Sequence, residues 1–363
     1  MLRSRTTFGI LLALASGAWC QSREAAVQAA LDAYVAKNRV VGASVAILER
    51  DGTLFATGSG FQDREANSRA TGNTVYRLGS ISKPVTTVAA LQLVEQNKLS
   101  LFADVRKAVP EWPDKGVTIT LRHLLTHSSG IRHYVPSNLD RYFERFTVAR
   151  SLDVFKADPL LFAPGTKTSY STHAFSLVAC MVEKGSGQAF PAYIRDHVSL
   201  PSGAKTLALE DRSKPLAART KLYSQAPIGQ STLEKREEDL SWKSGGGGME
   251  SSAADLARFG MAALEGKLLG KQLTDFMFQN QIVDGLNTAR GLGWSLPGGN
   301  PAHSGAQQGC LTLLATDRKA GRVWVVMTNT GGRHPIAELA ASVAAAWKGV
   351  PPKSELPSRP TKP

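Results

Sequence analysis

Two β-hairpin signatures lie at opposite ends of this 363-residue chain, and their separation limits how it can fold. Near the start, "VVGASVAILERDGTLFATGSGFQD" reads as two strands joined at Asp51-Gly52, a dipeptide suited to a tight turn between β-rich runs. Near the end, "CLTLLATD" and "RVWVVMTN" read as two more, split by Lys319-Ala320-Gly321, with "GLGWSL" as a further strand before them. Helical spacing fills the middle. Pro84 to Gln96 carries Val85, Val88, Leu91 and Val94 on an amphipathic pattern, and "AFSLVACMVEKGSG" (174–187) ends at a glycine. The stretch "KSGGGGMESSAADLARFGMAALEG" feeds a helix that opens with Ser252 and Asp255 in a capping-box pattern. Residues 117–145 read as helix and loop in turn, and helices over 24–38 and "PIAELAASVAAAWKG" flank the whole. The arrangement implied is an α/β chain of the α+β type. An antiparallel sheet is built from N- and C-terminal segments and flanked by helices, with a helical lobe, roughly 84–260, inserted between them.

The first twenty residues read as a secretory leader rather than as part of the fold. Arg3 and Arg5 precede a short apolar run, Phe8 to Ala15, and small residues follow at Ser16, Gly17 and Ala18. Cleavage is expected after Ala18 or after Cys20. Trp19 argues against lipidation of Cys20, because a small residue usually precedes a lipidated cysteine. The folded unit is then 21–348, with a proline-rich, disordered tail over 349–363. No stretch is long and apolar enough to span a bilayer, so the expectation is an exported protein, periplasmic or secreted. The formal charge of +13 invites an anionic partner, but Lys and Arg are scattered with no run of five, and no nucleic-acid motif is present. Export permits a disulfide between Cys180 and Cys310; two separate buried thiols satisfy the sequence equally. His123, His127 and His133 cluster without interleaved carboxylates, so no metal and no cofactor is expected, and His127 and Arg132 are read as holding a loop.

A hydrolytic serine needs a partner that takes its proton. No G-x-S-x-G elbow occurs, which leaves Ser-x-x-Lys, where a lysine three residues on shares a helix face with the serine. Two places match: Ser80-x-x-Lys83 in "LGSISKPVTT" and Ser202-x-x-Lys205 in "LPSGAKT". The first enters a helix; the second lies between Pro201 and Gly203 with no helix to align it. Ser82 has Val85 three residues on and is read as a cap or core-edge hydroxyl.

With "TLRHLLTHSSGIRHY" downstream, "LGSISKPVTTVAALQLVEQNKLSLFADV" resembles the serine β-lactamase and penicillin-binding-protein superfamily. The nearest branch is the class C-like one, with its esterases, D-aminopeptidases and mitochondrial β-lactamase-like proteins. The likeness runs from about residue 24 to about 348. It implies a β-lactamase/transpeptidase-like fold, with Ser80 as nucleophile and Lys83 as base. Tyr170 of "PGTKTSYSTHAFSLVA" is implied as the hydrogen-bonding partner of the serine, as base or acid. Thr172 stands where the family usually has an asparagine that contacts substrate. For the third element, Lys243-Ser244-Gly245 and His303-Ser304-Gly305 compete. Chain order favours His303, because paired strands and a final helix follow it. The resemblance then places Ser304 and Gly305 against substrate and makes the Ser80 and Ala306 N–H groups the oxyanion hole. Histidine in place of lysine removes a permanent charge.

These implications describe an exported serine hydrolase that forms an acyl-enzyme with a small ester, amide or peptide, of esterase or peptidase type. One alternative is a β-lactamase or D-Ala-D-Ala carboxypeptidase. A second, outside enzymes, is a catalytically silent envelope-binding protein with the same fold.

Overall fold

A computed structural model describes residues 22–349, except 136–141, 227 and 235. The expected leader, Cys20 and the tail sequence from Val350 lie outside the described residues.

The two distant hairpins do meet. One antiparallel sheet runs in the spatial order Ala302–Gln307, Cys310–Asp317, Arg322–Thr328, Gly42–Glu49, Leu54–Asp63, Ser68–Arg69. The join is the pairing of Gly42–Glu49 with Arg322–Thr328, from Ala43 opposite Thr328 to Glu49 opposite Arg322. The Asp51-Gly52 turn closes as read: Gly52 has φ +91°, and the Asp51 carboxylate accepts the Thr53 N–H at 2.9 Å. Alternation along the central strands divides the core in two. Ala43, Val45, Ile47, Trp324 and Val326 face Val27 and Leu31 of helix Arg23–Asn38 and Leu339, Val343 and Trp347 of helix Ile336–Trp347. Ala46, Leu48, Val323 and Val325 face the other way, into the core shared with the rest of the chain.

That second face is covered first by helix Ala253–Leu264, pressed so close that a Cβ on Gly260 would lie 2.9 Å from both Leu314 and Val323. The helix packs on the sheet, against Gly42–Glu49 and Arg322–Thr328. Ser252 caps it by accepting the Asp255 N–H at 3.2 Å. The reciprocal half of the capping box is absent, because the Asp255 carboxylate turns to the N–H and hydroxyl of Thr206, both at 2.7 Å.

Helix Ser82–Glu95 lies deeper still. Every residue from Ser82 to Leu91 is buried, so this is a central helix enclosed on all sides, not the amphipathic one its spacing suggests. Pro84 fits in its first turn, where backbone N–H groups have no intrahelical acceptor. Helix His173–Ser186 packs beside it and ends, as expected, at Gly187 with φ +72°.

"GLGWSL" is not a strand. Leu292 donates to Met277 O and Gly293 to Leu125 O, both at 2.9 Å, and Gly293 takes φ +70° against Thr87. The apolar run is buried as a curled loop that shares hydrogen bonds with three other elements, its Ser295 meeting Ala302 in an isolated bridge. Its apolar content satisfied the core without satisfying a ladder. Cys180 and Cys310 stand as separate buried thiols, and burial pushes each up to about 12.

Candidate active site

Ser80 sits in a tight turn, Gly79–Ile81, that runs straight into the central helix. One turn on, Lys83 is fully buried, with Nζ 3.1 Å from Ser80 Oγ. Nζ also donates to Gly246 O at 2.6 Å and contacts Thr172 Oγ1 at 3.0 Å. No carboxylate is among these partners. Burial, reinforced by the nearby Lys243 and Arg290 cations, holds the Lys83 pKa well below the ordinary lysine value. Ser82 takes the structural role read for it: its hydroxyl donates to Gly79 O at 2.8 Å and accepts the Met249 N–H at 3.1 Å.

The strand Ala302–Gln307 closes over the Gly79–Ile81 turn. A Cβ on Gly305 would lie 2.0 Å from Leu78 O, and one on Gly79 (φ +53°) would lie 2.9 Å from Ala306 N. Only glycine allows this approach on both sides. Ala302–Gln307 is the sheet edge, and the Ala302 N–H donates away from the sheet to Ser295 O. The two-residue alternation turns the Ala306 N–H the same way, toward the side where Ser80 lies. Ser304 is exposed beside it.

His303 is buried, and its Nδ1 lies 2.7 Å from Ser304 O. A carbonyl can only accept, so Nδ1 carries the proton and Nε2 the lone pair. Burial, with Lys83 and Arg290 adding to it, lowers the His303 pKa to about 3, leaving the ring neutral.

Tyr170 comes from the segment before helix His173–Ser186. Burial raises its phenol to about 12 against an opposing hydrogen bond with Ser80, so the phenol stays protonated near neutrality. Lys83 Nζ lies 4.7 Å from the ring centroid. His127 and Arg132 hold this segment, as read. His127 Nδ1 accepts the Ser171 N–H at 3.1 Å and its carbonyl accepts the Ser169 N–H at 2.9 Å, while Arg132 O accepts the Ser171 hydroxyl at 2.8 Å. Desolvation pushes His127 well below the usual histidine range, so it is a neutral acceptor. His133 Nδ1 accepts the Thr172 N–H at 3.1 Å. Thr172 is 2% exposed, with its N–H on His133 and its hydroxyl on Lys83. A hydroxyl is a single polar end where an asparagine amide has two.

His123 lies elsewhere, bonded to Asp284 at 2.8 Å and capping its own helix with Thr120. Among the described residues, no group of three or more His, Cys, Asp or Glu is placed to hold a metal, and no helix is long and apolar enough to cross a membrane.

Two residues near the site were not among those the sequence reading chose. Lys243, weighed there as part of a competing third element, lies at the site together with the chosen one. Beside Ala306 a cavity of about 450 Å³ opens, lined also by Tyr134, Glu238, Lys243 and Gln307. Arg290, with no pattern around it in "NTARGLG", reaches the field of Lys83, His127, His303 and Tyr170, and burial lowers its pKa.

The Beta-lactamase family model matches residues 27–346. The chain belongs to that family. Within the family it is similar to Esterase EstB of Burkholderia gladioli, at 28% identity over 85% of this chain and 91% of that protein. It is also similar to the human mitochondrial serine beta-lactamase-like protein LACTB, at 29% identity over 64% of this chain and 54% of that one. Among solved structures, D-amino acid amidase from Ochrobactrum anthropi SV3 superposes with a TM-score of 0.79 at 21% identity, covering 90% of this chain and 99% of that one. That likeness establishes the β-lactamase/transpeptidase fold. As a family member the chain is a serine hydrolase.

Proposed function

We propose that this family member is an exported hydrolase that works through an acyl-enzyme on Ser80, with ester or amide substrates. The observation that carries the reading is the Lys83 amine, fully buried and 3.1 Å from Ser80 Oγ with only neutral partners. A neutral amine has two N–H bonds and one lone pair. Gly246 O and Thr172 Oγ1 take the two donors, which leaves the lone pair to accept the Ser80 proton.

Ser80 Oγ then bonds to the substrate carbonyl carbon as its proton passes to Lys83 Nζ. The carbonyl oxygen becomes an oxyanion between the Ser80 and Ala306 N–H groups, an arrangement of the kind that contributes most to acyl transfer. Tyr170, protonated, donates its phenolic proton to the leaving alcohol or amine as the carbon–leaving-group bond breaks, and Lys83 returns a proton to Tyr170. Water then adds to the acyl carbon and gives its proton to Lys83; the bond to Ser80 Oγ breaks, Oγ takes that proton back from Lys83, and the acid departs. His303 offers its Nε2 lone pair to a substrate N–H or O–H.

Ester turnover is favoured over β-lactam turnover, because His303 is neutral where a lysine would bind a carboxylate. One observation favours a second reading, toward β-lactams or D-Ala-terminated peptides. The Arg290 guanidinium has no carboxylate partner among the described residues and could receive a substrate carboxylate. The export expectation rests on the leader-like pattern of residues 1–20.

The test is a labelled fluorophosphonate probe on protein recovered from the periplasm or medium, with intact mass and a panel of p-nitrophenyl esters, D-amino-acid amides and nitrocefin. Wild type is expected to label, to lack 18 or 20 N-terminal residues, and to turn over esters faster than nitrocefin. Equal labelling of Ser80→Ala sinks the nucleophile, an uncleaved chain sinks export, and faster nitrocefin turnover selects the second reading.

A further inference from the structure

Two lysines flank one turn of glycine backbone. Lys243 leads into the short helix Ser244–Gly247, and Gly246 O in that helix holds Lys83 Nζ at 2.6 Å. The Lys243 stem lies along the same turn, since a Cβ on Gly247 would sit 3.5 Å from Lys243 Cδ. The turn has no room for side chains that could come between the two: a Cβ on Gly246 would meet Thr172 at 2.6 Å.

The geometry points to Lys243 as a positioning residue that supplies, from the glycine-rich turn, the fixed positive charge facing Lys83 that His303 does not. This rests on the Ser80–Lys83 reading above.

The two lysines are treated unequally by their surroundings, and the asymmetry decides which keeps its proton. Lys243 is 3% exposed, with its Nζ 3.9 Å from the Glu238 carboxylate and over the rings of Trp242 (4.5 Å) and Tyr134 (4.7 Å). A carboxylate and two aromatic faces all favour the charged form. Lys83 meets only the neutral Ser80, Thr172 and Gly246 O, with the protonated Tyr170 beneath it. Two neighbouring ammonium groups raise each other's cost, so the one without a counter-charge yields its proton. The other charges around Lys83 do not reverse this. Arg290 acts in the same direction, while His303 and His127 are neutral. The third-element strand thus contributes the oxyanion N–H and a neutral ring. The glycine-rich turn contributes the charge.

The test is the rate of Ser80 labelling by the fluorophosphonate across pH in the full-length protein. Lys83 is reactive only when neutral, so labelling falls away below its pKa. Removing a neighbouring cation raises that pKa. Lys243→Met should therefore move the acidic limb to higher pH by about one pH unit, cutting the rate below the limb about tenfold and leaving the alkaline plateau unchanged. Lys243→Arg keeps the charge and should keep the limb. Should the methionine variant fail to melt cooperatively, Lys243→Gln carries the same expectation. A limb that stays in place in a folded neutral variant overturns the inference. So does an equal loss at every pH, which would mark a substrate contact or a packing role. Wild type that never labels at Ser80 would instead remove the nucleophile reading beneath it, so the two failures are distinct.

Discussion

Ser80-x-x-Lys83 and Ser202-x-x-Lys205 are one sequence pattern in two surroundings. In the first, a tight turn enters a buried helix, the lysine is fully enclosed, and the two side chains are 3.1 Å apart. In the second, a surface turn with Gly203 at φ +72° directs the Ser202 hydroxyl to Ser199 O at 2.9 Å and leaves Lys205 exposed. A helix aligns the first pair and burial lowers the pKa of its lysine, which is what the proposed nucleophile and base require. The second pair has neither the helix nor the enclosure.

Replacing each lysine breaks the comparison most sharply. Lys83→Met should lower kcat/KM for a p-nitrophenyl ester by about 10²–10⁴-fold, the range for loss of a general base. It should keep or raise the melting temperature, since it removes a buried amine. Lys205→Met should leave both unchanged. Comparable losses in the two variants would erase the distinction. A smaller effect is expected at Gly305, where a methyl group meets Leu78 O and pushes the edge strand from the nucleophile turn. Gly305→Ala should reduce kcat by about 10²-fold, on the scale of a lost oxyanion donor. KM should change less. Full activity in this variant would show that the Ala306 N–H takes no part.

Much of this contrast is legible in the sequence. Both hairpins, the capped helices and the joined sheet follow from turn chemistry and period-two or period-3.6 spacing, which are local. Spacing sets Ser82 aside, and the want of a helix to align it sets Ser202 aside. What spacing could not convey was enclosure. The Ser82–Glu95 helix reads as amphipathic, but helix His173–Ser186, the glycine-rich turn Ser244–Gly247 and the segment Ile194–Ser199 pack around it and bury it. "GLGWSL" reads as a strand because apolar content alone does not tell a ladder from a packed loop. At the site, His303 looks like a pH-dependent contact until its carbonyl bond and burial fix one neutral tautomer. Lys243 and His303 competed for one role because a linear motif has one slot. The fold brings both in and divides the role between them. Arg290 had no local signal at all, since its significance lies in which charges it faces across the chain.

The smallest expected effect tests what the second pattern is for. Its stretch runs into Thr206, whose hydroxyl donates to the Asp255 carboxylate at 2.7 Å and accepts the Ser252 N–H at 2.9 Å, just where the sheet-covering helix begins. The turn is therefore a clamp on the N-terminus of helix Ala253–Leu264. Thr206→Val preserves the shape of the side chain and removes the hydroxyl. The buried Ser252 N–H then has no acceptor there, a loss of about 1–3 kcal/mol. Asp255 keeps the Thr206 N–H and Arg258, so the helix should stay docked. A urea or thermal melt should show the variant less stable by that amount, with kcat and the pH profile of the folded fraction unchanged. This is the reverse of the Lys83→Met signature, in which rate is lost and stability is kept. A Thr206→Val variant that melts normally but turns over slowly would mean that this region touches the reaction after all, and the two Ser-x-x-Lys stretches would no longer divide into one chemical and one structural.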